Sequence, residues 1–306
     1  MKQLREMIQP LVGLLIITVV LVVFAPTFRQ WVAVKDVFEQ STVLLIMAMG
    51  TTVILISGGL DLSVGSILAL ASVITGSLLI MDGIPVWVAV LGGLLSGMVC
   101  GLINGLVITI TRIPTLVATL GMMMIARGVA NMIGAGKDMS RFPDSFSWLG
   151  AGFVGPVTVT VIILIVTWII LSKLRIGFNA YAIGGNEEVA RLSGIPISRN
   201  KIFFYVFSGF TAALASVVQT SRLDFAHTNR GSGMELWVIA ATVIGGTSMF
   251  GGVGGVWGTV IGVLIIRGLQ AGLVHLHVQS FWQQVAIGVV IIVAVAIDTY
   301  QRRERA

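Results

Sequence analysis

The sequence predicts an all-α integral membrane protein with about ten transmembrane helices, and three observations carry that prediction. Of 306 residues, 56% are hydrophobic and only 10% are charged. A soluble domain carries roughly 25% charged residues, so this chain could not cover its surface in water, whereas lipid is a solvent for apolar faces. The apolar runs are long and unbroken rather than short and alternating, which favours spanning helices over barrel strands. Glycine is abundant, at 37 residues, which suits close helix packing in a membrane.

The elements follow from the length rule that a helix needs about 20 residues to cross the hydrocarbon core. Lys2 and Arg5 precede the first apolar run, and Phe24-Ala25-Pro26-Thr27 is a poor cleavage site, so this run reads as an uncleaved first helix. Spans are expected near 8–26, 41–58, 64–81, 85–109, 114–134, 156–173, 202–220, 236–250, 256–274 and 281–298. The 236–250 span is short, and the glycine-rich stretch 57–66 reads as a broken or re-entrant segment. Segment 27–40 mixes aromatic and polar residues like a helix lying in the interface. Segment 135–155, with Gly136, Pro143 and Gly150, reads as an outer loop. Segment 173–201 reads as the longest inner loop, with a short helix from Asn186 to Leu192 as a docking element. The chain reads as one transmembrane domain over 1–306, with no sequence repeat.

Lys and Arg orient the spans. With the N-terminus inside, Lys2, Arg5, Arg112, Lys173, Arg175, Arg191, Arg199, Lys201, Arg302, Arg303 and Arg305 are cytoplasmic. Arg29, Lys35, Lys137, Arg141, Arg222 and Arg230 are outside, and Arg127 and Arg267 lie within spans. The bias, with the even span count, places both termini in the cytoplasm. The net charge of +6 is dispersed between apolar runs, with no basic patch interleaved with aromatics, so nucleic acid is not an expected partner.

Three stretches stand out. In Ser57-Gly58-Gly59-Leu60-Asp61-Leu62-Ser63-Val64-Gly65-Ser66, two glycines interrupt an apolar run and an aspartate follows. A carboxylate near a bilayer is costly unless watered or paired, so broken helix plus acid marks a pathway or gate. Asp61 also sits where it can cap the next helix. Gly93, Gly97, Gly101 and Gly105 form one smooth helix face, as do Gly254, Gly258 and Gly262, for packing within the chain or against a second copy. In Tyr181–Ile195, Glu187, Glu188 and Arg191 share helical spacing, with Asn186 as N-cap and Gly194 as stop. A helix this short is not stable alone and makes sense if a partner holds it; the alternative is a solvated linker.

Chemistry-bearing motifs are missing. Gly134-Ala135-Gly136-Lys137-Asp138 has the wrong spacing for a phosphate loop and no hydroxyl after the lysine. His275 and His277 are a weak hint of metal, Cys100 sits alone in an apolar run, and no catalytic or metal-binding set is expected.

Stretches 57–66, 181–195 and Gly245-Gly246-Thr247-Ser248-Met249-Phe250-Gly251-Gly252-Val253-Gly254-Gly255-Val256-Trp257-Gly258-Thr259 together resemble the membrane permeases of bacterial ABC importers for ribose, galactose and related monosaccharides. The resemblance covers about residues 30–298. It implies an inner-membrane permease that works as a homodimer or heterodimer. A separate cytoplasmic ATPase would carry ATP and Mg, this chain binding no cofactor, and a periplasmic sugar-binding protein would deliver the cargo. It further implies that Gly184, Gly185, Asn186, Glu187, Glu188, Ala190, Arg191, Leu192 and Gly194 couple to the ATPase. Ser57, Gly58, Gly59, Asp61, Ser63, Gly245, Gly246 and Thr247 would form the pathway or gate. On the outer side, Arg222, Asp224, Arg230 and Glu235 are candidates for docking the binding protein. One position departs from the family pattern: Trp237 stands where members often carry aspartate. The rival readings are a stand-alone ion-coupled carrier and a same-fold permease for a non-sugar or signal molecule.

Overall fold

The structure, a computed structural model, describes residues 2–24, 26–135 and 139–276, then 278, 279 and scattered positions from 281 to 299. The expected span 281–298 lies largely outside the described residues; those of it that are described are helical. Among the described residues there are twelve α-helices: α1 (Lys2–Phe24), α2 (Trp31–Ile56), α3 (Val64–Leu79), α4 (Val86–Thr111), α5 (Thr115–Gly134), α6 (Asp144–Ser147), α7 (Val154–Lys173), α8 (Arg175–Gly185), α9 (Glu187–Leu192), α10 (Ile197–Leu223), α11 (Met234–Ile244) and α12 (Val256–His275). Six of them, α2, α4, α5, α7, α10 and α12, are long and apolar enough to cross a membrane. Shorter apolar stretches lie in α1, α3 and α11.

The bundle is built around α2. Every residue from Ser41 to Ile56 is buried, and a helix that is apolar all round belongs inside. Helices α7, α10, α11 and α12 pack around it. Of α2's apolar stretch 89% is buried, against 28% in α4 and in α5, so those two present most of their surface outward. Outward Leu, Ile and Val side chains there, such as Ile110 and Ile125, suit lipid rather than water.

The glycine stripes are used within the chain. On α4, Gly93 lies against Ala71 and Thr75 of α3, while Gly97, Gly101 and Gly105 lie against Gly209, Tyr205 and Ile202 of α10. The contact is reciprocal, because a methyl on Gly209 would strike the carbonyl of Gly97. On α12, Gly258 and Gly262 lie against Gly245 and Ala241 at the end of α11.

Several expected boundaries move. The interface helix at 27–40 is instead a 3-10 turn, Pro26–Arg29, followed by the first turns of α2. Ala33, Val37 and Ser41 are buried at spacing four, so one helical face runs on without a stop. The inner loop at 173–201 is mostly helical. Its α8 exists because Gly177, Ala180 and Ile183, at spacing three, form a buried face against α7 and α2. The short span at 236–250 ends at Ile244, since Gly246 takes a left-handed φ of 89° and turns the chain. In the segment expected as an outer loop, β1 (Met139–Ser140) pairs antiparallel with β2 (Phe225–Ala226).

Candidate functional site

Two of the spans are broken in the same way. α2 ends in a turn where Gly58 N–H donates to Leu55 O (2.9 Å) and Gly59 N–H to Ile54 O (3.0 Å). α11 ends with Gly246 N–H donating to Val243 O (2.8 Å) and Thr247 N–H to Thr242 O (3.2 Å). Both are Schellman stops with a left-handed glycine, Gly58 at φ 76° and Gly246 at φ 89°. After each, the chain runs seven or more residues without helix before α3 or α12 begins. At about 1.5 Å per residue, α3 and α11 are too short to cross a hydrocarbon core of about 30 Å. The two breaks touch, since Leu60 and Leu62 of the first and Met249 of the second pack with Leu55, Ile239 and Val243.

The first break holds Asp61, which is fully buried. Its Oδ1 accepts from Ser63 N–H (3.0 Å) and Ser63 Oγ (2.5 Å), and its Oδ2 accepts from Ser208 Oγ on α10 (2.8 Å). Asn104 Nδ2 on α4 donates to Ser63 Oγ (3.0 Å). Tyr205 OH donates to Leu60 O (3.2 Å), and Leu60 N–H to Thr115 Oγ1 (3.3 Å). The carboxylate thus closes the turn before α3 without capping it, since the N-cap residue is Ser63 and α3 has no side-chain cap; it also ties the break to α10 and, through Ser63, to α4. Full pairing is what makes a buried polar group tolerable. Ser57 is buried and bonds back to Ile54 O (2.7 Å). In the second break, Thr247 is buried against Gly254 and its Oγ1 has no hydrogen-bond partner among the described residues.

Segment 181–195 forms the helix expected there. Asn186 Oδ1 accepts from Glu188 N–H and Val189 N–H, both at 3.0 Å, and so caps α9. Gly194, at φ 83°, stops it with the same Schellman pattern, donating to Arg191 O while Ile195 N–H donates to Ala190 O. Ala190 is the buried residue of α9, whereas Val189 and Leu192 are 57% and 83% exposed. Glu187 binds Lys201 at the start of α10 (2.7 Å) and Arg191 (3.4 Å). Glu188 faces outward.

Stretches 57–66, 181–195 and 245–259 meet at one backbone junction. A methyl built on Gly251 would stand 2.8 Å from Gly184 Cα and 2.9 Å from Gly58 Cα. A methyl on Gly184 would strike the carbonyl of Ile56 and stand 2.6 Å from Gly252 N. That carbonyl, the last of α2, accepts a hydrogen bond from Gly252 N–H (2.9 Å), and Tyr181 OH reaches Gly254 O (2.9 Å). Only glycines allow three backbones this close. The α8 end, one residue before α9, therefore rests on both breaks. A methyl on Gly185 would point into open space, and Gly245 lies apart, on α12.

The residues expected on the outer side separate into two levels. Asp224 accepts from Arg141 N–H (3.3 Å) and Phe142 N–H (2.9 Å), Arg222 donates to Glu39 O (2.9 Å), and Arg230 stands 5.1 Å over the Phe225 ring. Glu235 lies deeper. Its carboxylate sits on Gly65, at the start of α3, whereas Ala226 of β2 sits on Gly76, eleven residues along the same helix. That is a depth of about 16 Å at 1.5 Å per residue. Arg127 of α5 holds this inward-dipping loop, donating to Thr228 O (2.6 Å) and Arg230 O (2.8 Å). Sequence reading did not assign roles to Arg127, Asn104, Tyr205 or Ser208. The readable signal was their polarity inside apolar spans. His275 packs edge-on to Phe28 at 6.1 Å, and His277 lies outside the described residues. Trp237 packs, partly buried, against the main core.

Comparison with known proteins places this geometry in a family. The family described as branched-chain amino acid transport system, permease component, matches residues 33–295. Ribose import permease protein RbsC of Bacillus subtilis is 38% identical, over 94% of this chain and 91% of its own length. The Escherichia coli K12 protein of that name is 36% identical over 94% and 92%. The galactose/methyl galactoside import permease of Haemophilus influenzae is 36% identical over the same shares. No solved structure matches. The chain belongs to the branched-chain amino acid transport system permease component family.

Proposed function

We propose that this chain is the membrane permease subunit of an ATP-binding-cassette importer and forms the pathway for a monosaccharide, ribose-like in class. One observation carries the mechanism: the glycine junction joins the base of α9 to both helix breaks. A push on α9 would reach α2 and the 245–255 turn through backbone contact, without flexible side chains between. The relatives named for ribose and galactose import support the cargo class. The protein is a multi-pass protein of the inner membrane. The reading counts ten spans: the six long helices, α1, 281–298, and α3 and α11, each completed across the core by the unwound segment of its break, with both termini cytoplasmic. On that count α9 and the turn between α4 and α5 face the cytoplasm.

The chain is a single permease domain and supplies no catalysis. A cytoplasmic ATPase subunit, holding ATP and Mg, supplies the power stroke and docks on α9. A periplasmic binding protein brings the sugar to the outer face, where the surface around Arg222, Asp224 and Arg230 receives it. Glu235, seated on Gly65, acts instead within the pathway region with Asp61 and Ser63. A second permease copy, identical or related, completes the pathway. The test is affinity purification from membranes followed by identification of bound subunits and a sugar screen on the binding protein. Recovery of an ATPase and a monosaccharide-binding protein supports the reading; a chain recovered alone under mild detergent opposes it.

A further inference from the structure

At the same end of the molecule as α9, a cleft of about 820 Å³ opens between the α4–α5 turn and the start of α10. Arg112, Arg191, Arg199 and Lys201 line it, against a single acid, Glu187, and Gly58 of the glycine junction forms part of its wall. Glu187 is already engaged by Lys201 (2.7 Å) and Arg191 (3.4 Å). Arg112 and Arg199 are exposed and belong to no ion pair among the described residues. Thr115 and Ile197, which also line the cleft, are the first residues of α5 and α10, and neither helix has a side-chain cap. Their positive dipole ends therefore add to the arginines. The cleft has the potential of an anion receptor with two arginines unspent.

The neighbouring surface identifies the kind of anion. α9 lines the cleft on one side and exposes Val189 and Leu192 among its charges. An apolar centre beside a charged rim is the anatomy of a protein interface. A headgroup or a free phosphate in the cleft would leave the apolar pair on α9 uncovered, whereas a protein surface can fill the cleft and cover α9 together. We infer that the cleft receives an acidic segment of the same cytoplasmic subunit that docks on α9, with Arg112 and Arg199 as its contacts. This rests on the reading of the chain as an importer permease. Its consequence is a second point of force: an occupant of the cleft abuts Gly58, so the partner acts on the α2 break directly as well as through α8 and α9.

The test uses the full chain, co-expressed with its ATPase subunit and reconstituted in uncharged phosphatidylcholine. Arg112→Glu/Arg199→Glu is compared with Arg112→Gln/Arg199→Gln and with wild type, measuring ATPase retained as salt is raised. Rim charges act mainly through long-range attraction, so the reversal should weaken retention about tenfold at low salt, with Gln intermediate, and the difference should fade at high salt. Suppressors restoring uptake to the reversed variant should map to acidic residues of the ATPase changed to Lys or Arg. Equal retention of all three forms at every salt overturns the inference and leaves α9 docking standing. A difference that emerges only when phosphatidylglycerol is added assigns the cleft to lipid and overturns it too. A wild type that retains no ATPase overturns the importer reading, and the cleft assignment with it.

Discussion

Gly184→Ala is the sharpest perturbation available, because its neighbour is a built-in control. The added methyl would collide with the carbonyl of Ile56 and stand 2.6 Å from Gly252 N, where backbone cannot yield as a side chain would. Either α8 shifts or the Ile56–Gly252 hydrogen bond of 2.9 Å opens. Overpacking of this kind costs about 1–3 kcal/mol, and a buried backbone pair left unsatisfied costs about 1–3 more. The junction should therefore weaken by about 1–3 kcal/mol if α8 shifts and by up to about 6 kcal/mol if the hydrogen bond opens as well, with the loss concentrated where α9 meets the breaks. Gly185→Ala adds the same methyl one residue later, into open space. Thermal unfolding in lipid nanodiscs should fall for Gly184→Ala and stay near wild type for Gly185→Ala. ATP-driven sugar uptake in vesicles should follow the same split, while the ATPase still binds. Equal behaviour of the two variants would refute a junction that depends on backbone contact.

Three further outcomes follow from the same geometry. Asp61→Asn keeps an acceptor toward Ser63 and faces a hydroxyl that can turn, whereas Asp61→Ala strands Ser63 N–H and the Ser63 and Ser208 hydroxyls. Alanine should cost about 2–4 kcal/mol and asparagine much less, measured by thermal unfolding. Glu187→Lys/Glu188→Lys places a cation against Lys201 and Arg191, so uptake in vesicles should fall steeply; unchanged uptake would remove α9 from coupling. Asp224→Ala frees the N–H groups of Arg141 and Phe142, so amide exchange across 139–149 should rise while unfolding temperature moves little, a loss of about 1 kcal/mol. Unchanged exchange there would show that the carboxylate does not hold the loop.

Much of this molecule was legible because lipid imposes simple rules. Length and apolarity alone located α4, α5, α7 and α12 within a few residues. The break after α2 was legible because adjacent glycines followed by aspartate have few other uses in an apolar run. Asn186 and Gly194 bracketed α9 through cap chemistry that is local to the chain. Less legible was anything set by a distant partner. Arg175–Gly185 looked like loop because its helix is stabilised by α7 and α2, not by its own propensity. The depth of Glu235 depends on a loop that dips to Gly65 and is held by Arg127, more than a hundred residues earlier. Nor does spacing reveal that Gly58, Gly184 and Gly251 converge, because each glycine also has a sufficient local role.

On the proposed function, power enters from a separate ATPase rather than from an ion gradient. The most direct measurement is uptake of labelled ribose into proteoliposomes holding the chain with its co-purified ATPase and binding protein, with ATP inside and an ionophore added. Uptake should stop without ATP and survive the ionophore. Uptake that collapses with the ionophore while ATP is intact would contradict it.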